Sequence, residues 1–256
     1  MKLDISPNRI TKVLALAALC LTLAGVAIEL IPYYSGHDNL FGLVRQFDLN
    51  GEANVPACYS SFALLLCSVL LATIASAKKV NGDNYAIHWK AMSIIFLFLA
   101  IDESAQIHEM ITVQVRNSGF RPSGFFYYSW VIPYGIFVII FGLSYLRFLA
   151  HLPAKTRWLF IIAGAIYVGG ALGMEGAAGF HRTLYWQKDI VHKMMTVVEE
   201  SLEMTGIVVF IYALTSYMSL YVKDVQIHFV GKPIGKPVEH AMTASTLPRK
   251  EVLAKQ

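Results

Sequence analysis

The sequence predicts an all-α polytopic membrane protein built as a bundle of six transmembrane helices. Three observations predict it. The 256 residues are 56% hydrophobic and 15% charged, against roughly 45–50% and about 25% in a soluble domain. The apolar residues gather into six runs near or above the ~20 residues that cross a hydrocarbon core. The basic residues are also sorted by side. Of 21 lysines and arginines, only Arg45, Arg116, Arg121, Arg182, Lys188 and Lys193 fall on the outer side. The positive-inside rule then places both termini in the cytoplasm.

The first run, Val13 to Tyr33, follows Lys2, Arg9 and Lys12. Such a start also describes a signal peptide, with Gly25-Val26-Ala27 as a weak cleavage site. The run nonetheless reaches the length of a full span. Ser35 to Pro56 reads as an outer loop. Within it Asp48-Leu49-Asn50-Gly51-Glu52 alternates oxygen ligands as calcium loops do, but without the full pattern it reads as a solvated turn. Ala57 to Ala77 is the second span, closed by Lys78-Lys79, and Val80 to Lys90 is a short inner loop with Trp89 at the interface. Span three runs from Lys90 to about Val113, and Gln114 to Gly124 is an outer loop. Phe125 to Trp130 form an aromatic belt that opens span four, which ends at Leu149; Pro133 lies in its first turns, where a missing amide costs little.

His151 to Arg157 is a basic inner loop. Span five, Trp158 to about His181, holds Gly169 and Gly173 at GxxxG spacing, which predicts a close-packed helix face. Arg182 to Lys188 is the last outer loop, and His192 to Val222 is span six. Residues 1–222 thus form one transmembrane domain, while 223–256, basic and carrying two Gly-Lys-Pro repeats, predict a flexible cytoplasmic tail. Cys20, Cys58 and Cys67 show neither metal spacing nor a disulfide framework. The scattered basic residues follow topology and form no patch for nucleic acid.

Acids inside these spans carry the functional signal, because an ionised group at such depth costs at least a few kcal/mol. Taking ~1.5 Å per residue, Asp102 lies ~20 Å above Trp89, and His108 and Glu109 lie ~28–30 Å above it. Glu175 lies ~26 Å above Trp158, and Glu199 to Glu203 lie ~10–16 Å below His192. Asp102, Glu103, Glu199 and Glu203 therefore occupy the outer half of the hydrocarbon, with His108, Glu109, Glu175, His181 and His192 at its outer rim. At ~100° per residue, Asp102, Gln106 and Glu109 share one stripe, and His192, Thr196, Glu199 and Glu203 share another. His108 points away from Asp102 on this reckoning.

No lysine or arginine stands beside these acids in spans three, five or six. Three readings remain: carboxyls protonated and bonded to each other, a metal whose charge replaces the absent cations, or a watery cation or proton path. The metal reading leads. Its ligands would be Asp102, Glu103, Glu109, Glu175, His192, Glu199 and Glu203, with Gln106 behind them. Such a carboxylate-rich set suits iron or manganese, or zinc with more histidine. Helical di-iron carboxylate proteins share this architecture, but their Glu-x-x-His pairs are absent, since Ala105 precedes His108 by three and Asp189 precedes His192.

Asn54-Val55-Pro56 leading to Tyr59-Ser60-Ser61, Asp102 to Glu109, Tyr167-Val168-Gly169-Gly170 to Glu175, and Glu199 to Met204 resemble, as a set, an uncharacterised family of bacterial inner-membrane proteins. The resemblance spans Asp48 to about Tyr217; it implies six spans and supplies no activity. The expectation is a metal-dependent membrane protein, its site toward the periplasm, acting on a lipid-soluble or small substrate amid membrane lipid. The competing class is a non-catalytic accessory subunit of a larger membrane complex.

Overall fold

The computed structural model describes residues 6–35, 42–51, 53–185 and 189–222. The expected tail, 223–256, lies outside them, as do Glu52 of the Asp48 loop and residues 186–188 of the last outer loop. Among the described residues all regular structure is helical: α1 (Pro7–Ser35), α2 (Leu43–Phe47), α3 (Val55–Val80), α4 (Ala86–Ala105), α5 (Ile107–Asn117), α6 (Val131–His151), α7 (Ala154–Val168), α8 (Glu175–Tyr185) and α9 (Ile190–Tyr221). Among the described residues four helical segments are long and apolar enough to cross a membrane, beginning at Pro7, Val55, Val131 and Ala154; the bent pair α4–α5 makes a fifth if it counts as one span.

Helix α9 is the axis of the bundle. It packs against α1, α3, α7 and α8, and Ile207, Ile211, Leu214 and Tyr217 are buried along it. Its approach to α7 depends on Gly206: a Cβ there would stand 2.8 Å from the Tyr167 backbone nitrogen and 3.0 Å from the Ala163 carbonyl oxygen. In lipid, where apolar contact is no different from solvation, such small-residue approaches hold helices together. Helices α3 and α4 use serines to the same end. The Ser68 hydroxyl donates to the Ser93 carbonyl at 2.8 Å and Ser93 returns the bond at 2.9 Å, while Ser61 donates to the Ala100 carbonyl at 2.7 Å.

Trp89 is not at an interface. It is 1% exposed, with its ring against Phe148, Phe160 and Tyr217 at centroid distances of 5.1, 5.8 and 5.0 Å. These contacts knit α4, α6, α7 and α9 at one end of the bundle, with Leu71 and Ile74 of α3 completing the core. We call this the Trp89 end.

Two other expectations change. Span three is broken: α4 stops at Ala105, and α5 leaves at 64° to it. Gln106 at the break has φ 57° and ψ 39°, a left-handed conformation that costs a non-glycine residue roughly 1–2 kcal/mol. Span five is longer than expected, Ala154 to Tyr185, with a π-helical turn over Gly169–Met174. Neither Gly169 nor Gly173 meets a neighbour; a Cβ at either finds open space, whereas one at Gly170 would lie 2.9 Å from the Glu199 carbonyl oxygen. The wider π turn shifts the close-packed face by one residue from the GxxxG register.

Candidate functional site

Asp102 closes α4 and opens α5. Its Oδ1 accepts the His108 backbone N–H at 2.9 Å and lies 3.1 Å from His108 Nδ1; its Oδ2 accepts the Tyr134 hydroxyl at 2.8 Å. A carboxylate on the first amides of a helix caps it, an interaction worth about 0.5–2 kcal/mol. This offsets the strained Gln106 turn, and ties α5 and α6 to one side chain. His108, expected to point away from Asp102, is its direct neighbour because the break reverses its direction. The ring of His108 lies 4.9 Å from that of Trp130.

Glu175 follows the π turn, a distortion that recurs at functional sites in helices. It is buried, and Trp130 donates its indole N–H to Oε1 at 3.2 Å. Trp130 belongs to the expected interfacial belt but is buried in this contact instead. Because Gly170 lets the π turn rest on the backbone of α9, the Glu199 carboxyl comes against that of Glu175. Glu199 is 7% exposed. Its Oε2 is buried and receives no hydrogen bond from an N–H or hydroxyl of the described residues. One turn on, the Tyr167 hydroxyl reaches Glu203, with Glu200 and Glu103 nearby.

These acids line one end of a cavity of about 760 Å³, toward the upper part of the ~300–1,000 Å³ range of small-molecule sites. An apolar part of its wall is supplied by Phe96 and Leu99 of α4, Phe137 and Phe141 of α6, Phe160 of α7 and Phe210 of α9. Helix α6 is buried only near its ends, at Val131 and at Tyr145 and Phe148, and its middle borders the cavity.

Asp102, Glu103, Glu109, Glu175, Glu199 and Glu203 are all on this wall. His192 and Gln106 are not. His192 is buried on the far side of Tyr128, whose hydroxyl lies 3.5 Å from Nε2, and its amide is capped by Asp189 at 2.9 Å. Gln106 is the hinge between α4 and α5. The metal centre expected from these ligands is not assembled: among the described residues no three His, Cys, Asp or Glu groups are placed to share an ion. Asp102 has both oxygens engaged by His108 and Tyr134, and the break carries Glu109 off its stripe.

Several functional neighbours went unread in the sequence. Tyr134, Tyr128, Trp130 and Tyr167 looked like belt or core aromatics; their signal was that each can place a donor beside an acid. Arg116 and Arg182 looked like loop charges but border the cavity. Glu29, near the end of the first span, is buried against Lys193, with Nζ 2.6 Å from Oε2. At the Asp48 loop, Oδ1 accepts the Asn50 amide at 2.9 Å, an Asx turn. Asn54 then caps α3 by accepting the Ala57 amide at 3.1 Å.

The described residues, all helical in their regular structure and with several helices of membrane length around a carboxylate-headed cavity, fit a membrane protein. The chain belongs to the family described as Domain of unknown function (DUF8692), which matches residues 8–217. No curated protein and no solved structure matches it.

Proposed function

We propose that the protein takes a lipid-soluble amphiphile into this cavity and exchanges a proton with its polar group through Glu175 and Glu199. The observation that carries the proposal is the cavity itself, aromatic along its length and headed by buried carboxyl groups, Glu175 and Glu199 among them. Two carboxyls buried on one cavity wall, with no lysine or arginine among the described residues bonded to either, can share a single proton, and a shared proton there would be a store within reach of a bound ligand. General acid–base work needs such a group at hydrogen-bonding distance from the reacting atom. Asp102, fixed by His108 and Tyr134, would position the ligand. Among the described residues no three of the acids and histidines are placed to share an ion, which favours a proton over a metal between them.

Topology completes the proposal. The chain crosses a bacterial cytoplasmic membrane six times, α4–α5 forming one span and α9 the sixth. Both termini are cytoplasmic, and the acid end of the cavity faces the periplasmic side. The distribution of basic residues supports this orientation, as does the resemblance named above. A periplasm-active reporter fused after Gly119 should be active and one after Val80 silent; the reverse pattern would turn the site to the cytoplasm.

Gly164 lines the cavity, and a Cβ there meets nothing within 4 Å. Gly164→Trp should therefore fold normally and fill the space. Wild-type protein purified from membranes should carry bound lipid detectable by mass spectrometry, and Gly164→Trp should lose it. Equal lipid content in both would refute binding in the cavity.

A further inference from the structure

The cavity is ordered from end to end. On the segment α7–α8, Phe160 and Gly164 border its apolar part, Glu175 its acid part, and Arg182 the part beyond. Arg182 follows Glu175 by two helical turns, ~10 Å along the axis. Arg116 of α5 joins it there. Its guanidinium lies 4.4 Å from the centroid of the Tyr127 ring and donates to the Tyr127 carbonyl at 3.3 Å, while Arg182 bonds the Tyr127 hydroxyl. Among the described residues neither arginine forms an ion pair with a carboxylate. Two guanidiniums on one tyrosine at the edge of the cavity, neither ion-paired among the described residues, present donors to an anionic group. Arginine is suited to this, with planar donors matched to carboxylate and phosphate.

Building on the amphiphile reading above, we infer that the ligand is a single-chain zwitterion in a fixed order: apolar tail, then a protonated amine, then a terminal anion. The tail lies among Phe96, Phe141, Phe160 and Phe210. The amine donates to the Glu175–Glu199 pair, where Glu199 Oε2 lacks a donor among the described residues. The terminal carboxylate or phosphate reaches Arg116 and Arg182. A common glycerophospholipid does not fit this order, because its phosphate sits next to the tails and its amine is outermost. Specificity then comes from mismatch: an amphiphile with the charges exchanged would set its anion against seven carboxylate residues on the cavity wall, Asp102, Glu103, Glu109, Glu175, Glu199, Glu200 and Glu203.

Four amphiphiles test this by calorimetric titration of the full chain in a neutral maltoside detergent. N-dodecyl-β-alanine carries tail, amine and carboxylate in the inferred order; a sphingoid-base phosphate carries tail, amine and phosphate. Dodecylphosphocholine has the reverse order, and dodecylamine lacks the anion. The two forward zwitterions should bind at least about tenfold more tightly than the reverse one, the difference expected from one misplaced charge-assisted contact. Whichever forward probe binds better identifies the anion. Replacing both arginines, Arg116→Ala with Arg182→Ala, should remove that advantage and leave dodecylamine binding unchanged; the lysine pair, Arg116→Lys with Arg182→Lys, should restore part of it.

Gly164→Trp separates the two proposals. If it blocks every probe but the order makes no difference, the cavity reading stands and the zwitterion inference falls. Should Gly164→Trp leave binding intact, both fall. Should the double alanine variant fold and keep the forward preference, the arginines are not the anion site and the inference is overturned.

Discussion

The Trp89 end and the acid end of the bundle are held by different physics. Around Trp89, apolar side chains from five helices interlock with few polar groups. Around Glu199, helices meet through single hydrogen bonds, Tyr134 to Asp102 and Trp130 to Glu175. A close-packed core is rigid and tolerates little change of volume. A polar end with a cavity keeps room for a ligand, at the cost of burying groups that need partners. The molecule thus uses one end as a foundation and leaves the other for function.

Volume should break the first end and charge the second. Trp89→Ala removes the ring that joins four helices and should cost about 3–5 kcal/mol; thermal unfolding in detergent measures it. Asp102→Ala removes the cap of α5 and the Tyr134 bond together, for about 2–4 kcal/mol. Asp102→Asn keeps an acceptor and should lose about half as much. If Trp89→Ala proved the milder change, packing at that end would not be the foundation claimed for it.

Glycine sharpens the comparison further. Gly170→Ala presses a methyl group on the backbone of α9 and should cost about 1–3 kcal/mol, whereas Gly173→Ala points into open space and should be within about 0.5 kcal/mol of neutral. Equal melting temperatures for the two variants would restore the GxxxG reading of span five.

The helical class was legible because apolar length and basic-residue asymmetry are one-dimensional signals. That Asp102, Glu103, Glu175, Glu199 and Glu203 border one space was legible too, because a regular rise per residue brings acids of neighbouring helices to similar positions along the bundle. Direction was not. A helix of uniform pitch puts His108 behind Asp102, but the turn at Gln106 depends on the bonds that Asp102 makes to His108 and to Tyr134, and Tyr134 is 32 residues from Asp102. The π turn at Gly169–Met174 likewise shifted the packed glycine from Gly169 to Gly170, and no local pattern announces the extra residue per turn. Trp89 was misplaced because tryptophan suits both an interface and a core, and only the partners Phe148 and Tyr217 decide.

Beyond the spans, the loop joining α3 to α4 adds a small effect at the Trp89 end. Asp83 is somewhat desolvated, yet the Tyr85 amide at 2.8 Å and Lys78 Nζ at 3.1 Å hold its carboxyl below the usual value. A depressed carboxylate stabilises the fold above its unfolded value, ~4, and loses that contribution as pH falls through the folded value. Asp83→Asn should therefore lower the melting temperature slightly at pH 7, by less than ~1 kcal/mol, and the gap should close on acidification. A gap that widened in acid would contradict the sign.

The smallest effect expected is the most informative. Glu199→Gln replaces a buried carboxyl by an amide of equal size, whose N–H₂ can donate to Glu175 in place of the shared proton. If the pair is held by a proton, the substitution supplies a permanent donor and stability should change by no more than about 0.5 kcal/mol, in either direction. Glu175→Gln should behave alike, apart from the Trp130 bond, which an amide oxygen can still accept. The double variant, Glu175→Gln with Glu199→Gln, keeps an amide-to-amide hydrogen bond and should likewise stay within about 1 kcal/mol of wild type. A cation shared by these acids predicts otherwise: each single substitution should then destabilise strongly, and a chelator should lower the wild-type melting temperature by removing the charge that offsets the carboxylates. Melting curves of wild type, both singles and the double, each with and without chelator, decide between proton and ion. Nearly silent singles unmoved by chelator keep the proton pair; a strong loss reversed by added metal would replace it with a metal centre.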